Sequence, residues 1–532
     1  MDFVLALHSH LPYVLHHGRW PHGSDWLCEA TLDTYLPLLE QLEQLRAEGT
    51  PAPVTIGFTP VLANQLASPD FVREMDAFFA QRLAMCDQAP ASLAETGDGA
   101  LVGLVAFWKE RLTRLQALFR SEGGDLVRAF RRLEEQGRLE IIGSAATHGY
   151  LPLLGRTESI RLQLAVGKAE HRRLFGVAPR GCWVPECAYR PGIEQHLAEA
   201  GFSYFFTDSH LAHAGTPLRA YGDGPHPPAE WHGKATKSPY QAYRVSRRAG
   251  PGSVAALVRD PRSSMQIWSR HQGYPGDEWY LEFHKIRWPG GLKLWRVSGA
   301  NVDLGGKRPY EPPRAFERAG NHASHFAHLL DGLPEGKPKD RDGVIVAPFD
   351  TELFGHWWFE GPDFLAATYR ELRHHPKRVT PVTASQHLEA HPPRAALQLA
   401  EGSWGANGDH SMWMNDRTAW TWKRLRPLED AFWKVAAAAL KQPAARPVLA
   451  QAARELLLAQ SSDWQFIIST GAVVDYAERR FTLHCDDAER LTAALAAGGA
   501  ALEGATRLAE ELERRDNLFP TVLAQVAEAL GA

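Results

Sequence analysis

Between Phe3 and Ala347 the chain alternates short apolar runs with stretches of helical periodicity, and this alternation restricts its fold more than any other feature. The runs are Phe3–Leu7, Val54–Phe58, Leu139–Ile142, Gly181–Val184, Tyr204–Phe206 and Val344–Ala347, each bounded by turn or polar residues. Among the stretches between them, Ala30–Arg46 places Leu32, Tyr35, Leu36, Leu39 and Leu42 at the 3–4 spacing of one helix face. Leu101–Gln136 and Thr157–Leu174 read the same way. Strands alternating with helices give βα units and a parallel sheet, either open or closed into a barrel.

The texture changes further on. Around 208–255 the chain is rich in Gly, Pro and His, carries Lys234, Lys237, Arg244, Arg247 and Arg248, and has almost no periodicity, which predicts an irregular insertion. Asp331–Arg341 reads as a charged turn. From about residue 417 helical stretches dominate, including Arg446–Gln460, Asp487–Ala497 and Leu502–Arg515, with strand-like alternation only near Arg480–Cys485. At 532 residues the chain exceeds one ordinary domain. The expected division is a βα barrel over 1–400, interrupted near 208–255, and a helical unit over 401–532.

Composition excludes several functions. Lys and Arg (58) nearly balance Asp and Glu (62) with no long run of either sign, which argues against a nucleic-acid groove or an anionic membrane surface. The N-terminus runs straight into an apolar strand, and no apolar stretch reaches about 18 residues, so a cytoplasmic protein is expected. Five scattered cysteines (Cys28, Cys86, Cys182, Cys187 and Cys485) suit a reducing compartment. Cys182 and Cys187 lack the second pair that a structural zinc site needs.

Four polar constellations follow predicted strands: His8–Pro12, Gly143–His148, Trp183–Tyr189 and Ala347–Trp358. In a parallel barrel the C-terminal strand ends form the active face, so these segments converge despite their separation in sequence. Glu186 and Asp350 each follow an apolar strand, with a proline one or two residues earlier to stiffen the backbone. Two such carboxylates match cleavage of a glycosidic bond with retention, which needs a nucleophile and an acid/base about 5–5.5 Å apart. Either one also reads as a salt-bridged strand-end acid. Glu352 competes with Asp350 and is placed behind it. His10 and His148 are positioned to hydrogen-bond sugar hydroxyls, although a histidine after a strand also serves structure. His8 and His10 share a strand face, and with Asp350 or His148 they resemble a mononuclear hydrolytic metal site.

The chain has 17 tryptophans, and many sit in polar segments. Trp404 and Trp413 lie in a Gly- and Asn-containing loop, Trp420 and Trp422 at a helix start, and Trp357 and Trp358 beyond Asp350. Trp20, Trp26, Trp268 and Trp279 also have polar neighbours. Indole faces stack on sugar rings, but large cores use tryptophan as filler too. Trp404 and Trp413 are the preferred sugar platforms, with Trp268 a further substrate-binding candidate.

Together these segments resemble the signature regions of glycoside hydrolase family 57, and its α-1,4-glucan branching enzymes most closely. The fifth region is the stretch around Ser462-Asp463-Trp464, and the resemblance runs over essentially the whole chain. It implies an α/β fold: an incomplete (β/α)7 barrel with a small inserted domain and a C-terminal α-helical domain covering the cleft. It further implies Glu186 as nucleophile, Asp350 as acid/base, and no metal or organic cofactor. His10 and His148 would line the donor subsite, and Trp404, Trp413 and Asp463 would hold the acceptor chain. The family's branching enzymes carry a mobile loop with a functional tyrosine. The stretch 232–253 fits that loop, with Tyr240 preferred over Tyr243. The expected partner is an α-glucan such as amylose or glycogen, and the expected state a monomer. A 4-α-glucanotransferase or α-amylase shares the four strand-end motifs. A catalytically silent α-glucan-binding protein and a metal-dependent hydrolase are the rivals from other classes.

Overall fold

The computed structural model describes residues 1–213, 238–245, 254–269, 272–288, 291–333, 343–374, 378–393 and 395–531. Its strands are β1 (Asp2–Ser9), β2 (Val54–Phe58), β3 (Glu140–Ser144), β4 (Gly181–Trp183), β5 (Tyr204–Thr207), β6 (Tyr243–Val245), β7 (Val254–Val258), β8 (Val344–Asp350), β9 (Thr380–Pro381) and β10 (Ala395–Leu397). The sheet runs β10-β6-β7-β5-β4-β3-β2-β1-β8, with β9 added beside β1. The path from β7 through β5, β4, β3, β2 and β1 to β8 is parallel throughout. These seven strands form the barrel. It is incomplete at the seam between β7 and β8, where the described residues make a single bridge, Arg259 with Val346, in place of a ladder.

Side-chain parity explains how this barrel presents chemistry. Phe3, Leu5 and Leu7 of β1 join the large core beneath the helices, whereas Val4 and Ala6 join a separate cluster with Ile142, Trp183, Phe206, Leu257, Val344 and Val346. That second cluster fills the barrel. Alternation then carries His8 and His10 inward from β1 and Asp350 inward from β8, and His8 pairs with Asp350 in the parallel register. The end that carries these polar side chains is therefore the continuation of the barrel's own packing.

The six apolar runs all form strands, and the periodic stretches form helices. Ala30–Arg46 lies within a longer helical element whose middle turn, Thr31–Tyr35, is π-helical, a deviation that often accompanies functional sites. Two expectations change. The 208–255 segment holds β6 and the start of β7, and β7 is a barrel strand whose apolar run Val254–Val258 was hidden behind Gly- and Pro-rich sequence. The proposed loop 232–253 lies outside the described residues apart from 238–245, as does most of the charged turn beyond Leu333. Arg480–Cys485 is not a strand but part of the helix Val474–Ala497, where Arg480, Phe481, His484 and Cys485 form its buried face.

From Ala419 onward the described residues form helices, joined to the barrel by buried polar contacts. Gln163 donates to Gln460 (3.0 Å), Trp433 Nε1 to Ser159 (2.9 Å) and Arg480 to the Tyr13 carbonyl (2.7 Å). His17 meets Asp516 at 2.6 Å. Satisfied buried contacts of this kind fix orientation between layers.

Candidate active site

Two turns bring the catalytic end together, and both use strained backbone. His148, Glu186 and Cys187 have φ of 59°, 61° and 46°, the left-handed region that costs a non-glycine residue about 1–3 kcal/mol. The strain is held in place by chain crossings. The Ser462 amide donates to the His148 carbonyl (3.1 Å), the Trp404 amide to the Glu186 carbonyl (3.1 Å), and Tyr189 and Gly402 exchange backbone hydrogen bonds. Gly408, at φ +73°, is required here because a Cβ would stand 2.6 Å from the His210 ring.

The Glu186 carboxylate accepts from Trp404 Nε1 (3.0 Å, Oε2) and from Ser462 Oγ (3.1 Å, Oε1), and its side chain is 15% exposed. Burial raises its pKa to about 7, against the Trp404 hydrogen bond and with the Asp463 charge. Asp350 is raised well above the carboxylate range by burial, then by the charges of Glu352 and Glu186, with Arg259 opposing. One strand-end carboxylate is thus provided with donors while the other is pushed toward its protonated form. Both carboxyls are raised by burial, and the two donors on Glu186 favour its ionised form more than anything does at Asp350.

Glu352 accepts from Tyr35 OH (2.5 Å) and from the His10 amide (3.0 Å), so it braces the β1 turn behind Asp350. His10 bonds Thr59 through Nδ1 and Asp463 through Nε2, both at 2.9 Å. Against its burial, the Asp463 charge raises His10, and His10 in turn holds Asp463 at about 2 despite burial. The pairing favours the charged form of each side chain. His148 stacks on His10 with ring centroids 4.0 Å apart. The three imidazoles lie face to face with their bonded nitrogens engaged sideways, which is not a geometry that points lone pairs at one ion. Elsewhere, Asp2, His387 and His391 form one group of metal-ligand type and His17, His484 and Asp516 another. In the second, Arg480 and Arg515 donate to His484 and Asp516, which makes it an ion-pair network.

The aromatic expectations separate. Trp404 donates its indole N–H to the Glu186 carboxylate. Trp413 is buried: it stacks on Tyr150 at 4.4 Å, and its carbonyl accepts from Trp422 Nε1 at 2.7 Å. Its surrounding loop is polar because the loop turns tightly, and the ring inserts into the core as support for the cleft wall instead of standing as a platform. Trp268 lies 6.5 Å from Trp357, which is 41% exposed, and this pair presents an indole face to solvent. Tyr240 donates to Asp260 (2.9 Å) at the barrel seam, and Tyr243 OH donates to the Ser238 carbonyl (2.6 Å). Both hydroxyls are thus engaged with groups of the seam and of the segment 238–245.

Sequence reasoning missed Ser462 as a partner of Glu186, and also Arg259 and Asp208. The buried Arg259 donates to Asp208 (3.1 Å) and lies 5.4 Å over the Trp404 ring. His210 links Asp208 to the Gly408 carbonyl. A serine and an ion pair of this kind have no local sequence signal, because their partners lie far away in the chain.

Trp404→Phe keeps an aromatic face and removes the N–H on Glu186. The expected result is a fall in kcat/KM of about 10- to 100-fold near neutral pH, with the acid limb of the pH profile displaced upward. A change confined to KM would make Trp404 a binding platform only.

A parallel barrel whose strand ends hold two desolvated carboxyls, one of them met by two hydrogen-bond donors, fits an enzyme of glycosidic bonds. Residues 4–400 match the model for glycosyl hydrolase family 57, and residues 425–526 match that for the C-terminal part of 1,4-alpha-glucan branching enzymes. The chain belongs to glycosyl hydrolase family 57. A 1,4-alpha-glucan branching enzyme of Thermococcus kodakarensis is 39% identical over 98% of this chain and 77% of its own. A probable 1,4-alpha-glucan branching enzyme of Mycobacterium tuberculosis is 32% identical over 97% and 96%. Among solved structures, the family-57 branching enzyme of Thermococcus kodakaraensis, in complex with glucose, superposes with a TM-score of 0.90 at 38% identity, covering 99% of this chain and 96% of that one. The α-amylase AmyC of Thermotoga maritima follows at 0.81 and 30% identity, covering 98% and 99%.

Proposed function

We propose that this chain is a 1,4-α-glucan branching enzyme working by retaining double displacement. Glu186 attacks C1 of an α-1,4-linked glucose, and Asp350 delivers its proton to the departing O4 of the chain. The glycosyl ester at Glu186 then meets an acceptor glucan. Asp350, now a carboxylate, takes the proton of its 6-hydroxyl while that oxygen displaces Glu186, and an α-1,6 branch results. The observation that carries this reading is the opposed pair: Glu186 held by two donors, and Asp350 driven toward its acid form. Support for the bond made comes from the branching-enzyme relatives. His10 and His148 belong in this reading to the donor side, Trp404 and Asp463 to the acceptor side, with Trp268 and Trp357 as a further aromatic contact there. A part for Tyr240 in the reaction requires its hydroxyl to leave Asp260.

The proposed division places the catalytic barrel at 1–400 and the helical cover at 401–532, supported by the last strand ending at Leu397. An α-glucan partner, a monomeric state and a cytoplasmic location complete the proposal. All five cysteines are free and buried, and among the described residues no helix is long and apolar enough to cross a membrane. The likeness to AmyC supports a second reading in which water, not a 6-hydroxyl, resolves the intermediate. Incubation with amylose separates the two. Branching yields α-1,6 anomeric proton signals and new short chains on debranching, whereas a falling iodine stain with neither product contradicts it.

The same pair fixes a bell-shaped profile of kcat/KM. Glu186 must be ionised, so activity falls as pH drops through about 7. Asp350 must be protonated, so activity falls again as pH rises through its elevated pKa. A flat profile between pH 5 and 8 would remove Glu186 from the acid limb.

A further inference from the structure

We infer that His8, His148 and Ser462 form a one-directional hydrogen-bond relay that ends on the Glu186 carboxylate, with His148 carrying its proton on Nδ1. His8 Nε2 lies 2.9 Å from His148 Nε2, His148 Nδ1 lies 2.8 Å from Ser462 Oγ, and Ser462 Oγ lies 3.1 Å from Glu186 Oε1. His8 and His148 are buried, and His8 is closed off by Trp183, stacked on its ring at 4.5 Å with 5° between planes.

Each contact of a ring nitrogen holds one hydrogen, so only two arrangements of neutral rings are consistent. In the first, His8 Nε2–H donates to His148 Nε2, His148 Nδ1–H donates to Ser462 Oγ, and the serine hydroxyl donates to Glu186. In the second, His148 Nε2–H donates to His8 Nε2 and the serine hydroxyl donates to His148 Nδ1, which leaves no hydrogen between Ser462 and the Glu186 carboxylate. Ser462 then turns a lone pair toward the carboxylate, and His8 must carry its proton on Nδ1. That atom is buried without a partner. A buried N–H without an acceptor is costlier and rarer than a bare acceptor lone pair, so the first arrangement holds. Cationic alternatives are opposed by burial and by the neighbouring His10 charge, both of which lower His8 and His148.

The other groups facing Glu186 act from fixed positions: the Trp404 indole, the His10–Asp463 pair, and Asp350 across the barrel. The relay joins both units: its serine, like Trp404 and Asp463, comes from the helical unit, and its histidines come from β1 and the turn after β3. Ser462, His148 and His8 are positioning residues, since they act through the orientation and ionisation of Glu186. Packing of the helical unit on the barrel thereby completes the surroundings of Glu186.

The inference rests on Glu186 as nucleophile, but its first test does not. In protein labelled with nitrogen-15 histidine, long-range nitrogen–proton correlation is expected to show His148 as the Nδ1–H tautomer and His8 as Nε2–H. The opposite tautomers would overturn the relay whatever the catalytic roles. Second, Ser462→Ala is expected to move the acid limb of kcat/KM upward by about one pH unit, and Ser462→Thr to restore it. An unmoved limb with a folded Ala variant also overturns it. Should the Ala variant fail to fold, the tautomer measurement on the unmodified protein decides.

Discussion

Glu186→Gln is expected to lower both transfer from amylose and hydrolysis by on the order of 10⁴-fold or more, with the fold retained. The amide has nearly the shape of the carboxylate but neither its charge nor its nucleophilicity, so the ester to C1 cannot form. One local cost is foreseeable. Trp404 Nε1 and Ser462 Oγ both donate to Glu186 oxygens, and an amide nitrogen set against either donor loses about 1–3 kcal/mol of stability. Calorimetry separates this from unfolding. Glu186→Ala opens space at the same point, and added azide is expected to restore turnover of an activated glucosyl substrate, giving a glycosyl azide of inverted configuration. A Gln variant within tenfold of the unmodified enzyme would remove Glu186 as the nucleophile.

Asp350→Asn is expected to cost about 10²- to 10⁴-fold on amylose, the range of a lost general acid. The deficit should vanish in the first step for a maltosyl fluoride, because fluoride departs without protonation. The second step remains slow, since no base deprotonates the acceptor, so a burst of one fluoride per enzyme is followed by slow turnover. Equal loss on amylose and on the fluoride would reduce Asp350 to a structural acid.

Much of this site was legible before any coordinates. Apolar runs located six of the seven barrel strands, and the polar residues just past them include Glu186, Asp350, His10 and His148, because a parallel barrel gathers its strand ends. What escaped was set by tertiary context. The Val254–Val258 strand was masked by its irregular neighbours. Trp413 was judged by the polarity of its loop, although its own ring is buried against Tyr150. The buried stripe of the helix Val474–Ala497 places Arg480 and His484 four apart, a spacing obscured in a six-residue window that reads as alternation. Ser462 joined the site through a hydrogen bond spanning 276 positions, and no local pattern reports such a contact.

The central claim is that the glucan chain passes through an ester at Glu186. Asp350→Asn, incubated with maltosyl fluoride, quenched in acid and digested with pepsin, tests it by mass spectrometry. The expected result is a peptide containing Glu186 heavier by one maltosyl residue, with fragmentation placing the sugar on that carboxylate. An unmodified peptide despite a fluoride burst, or the sugar on Glu352 or Asp463, would contradict it.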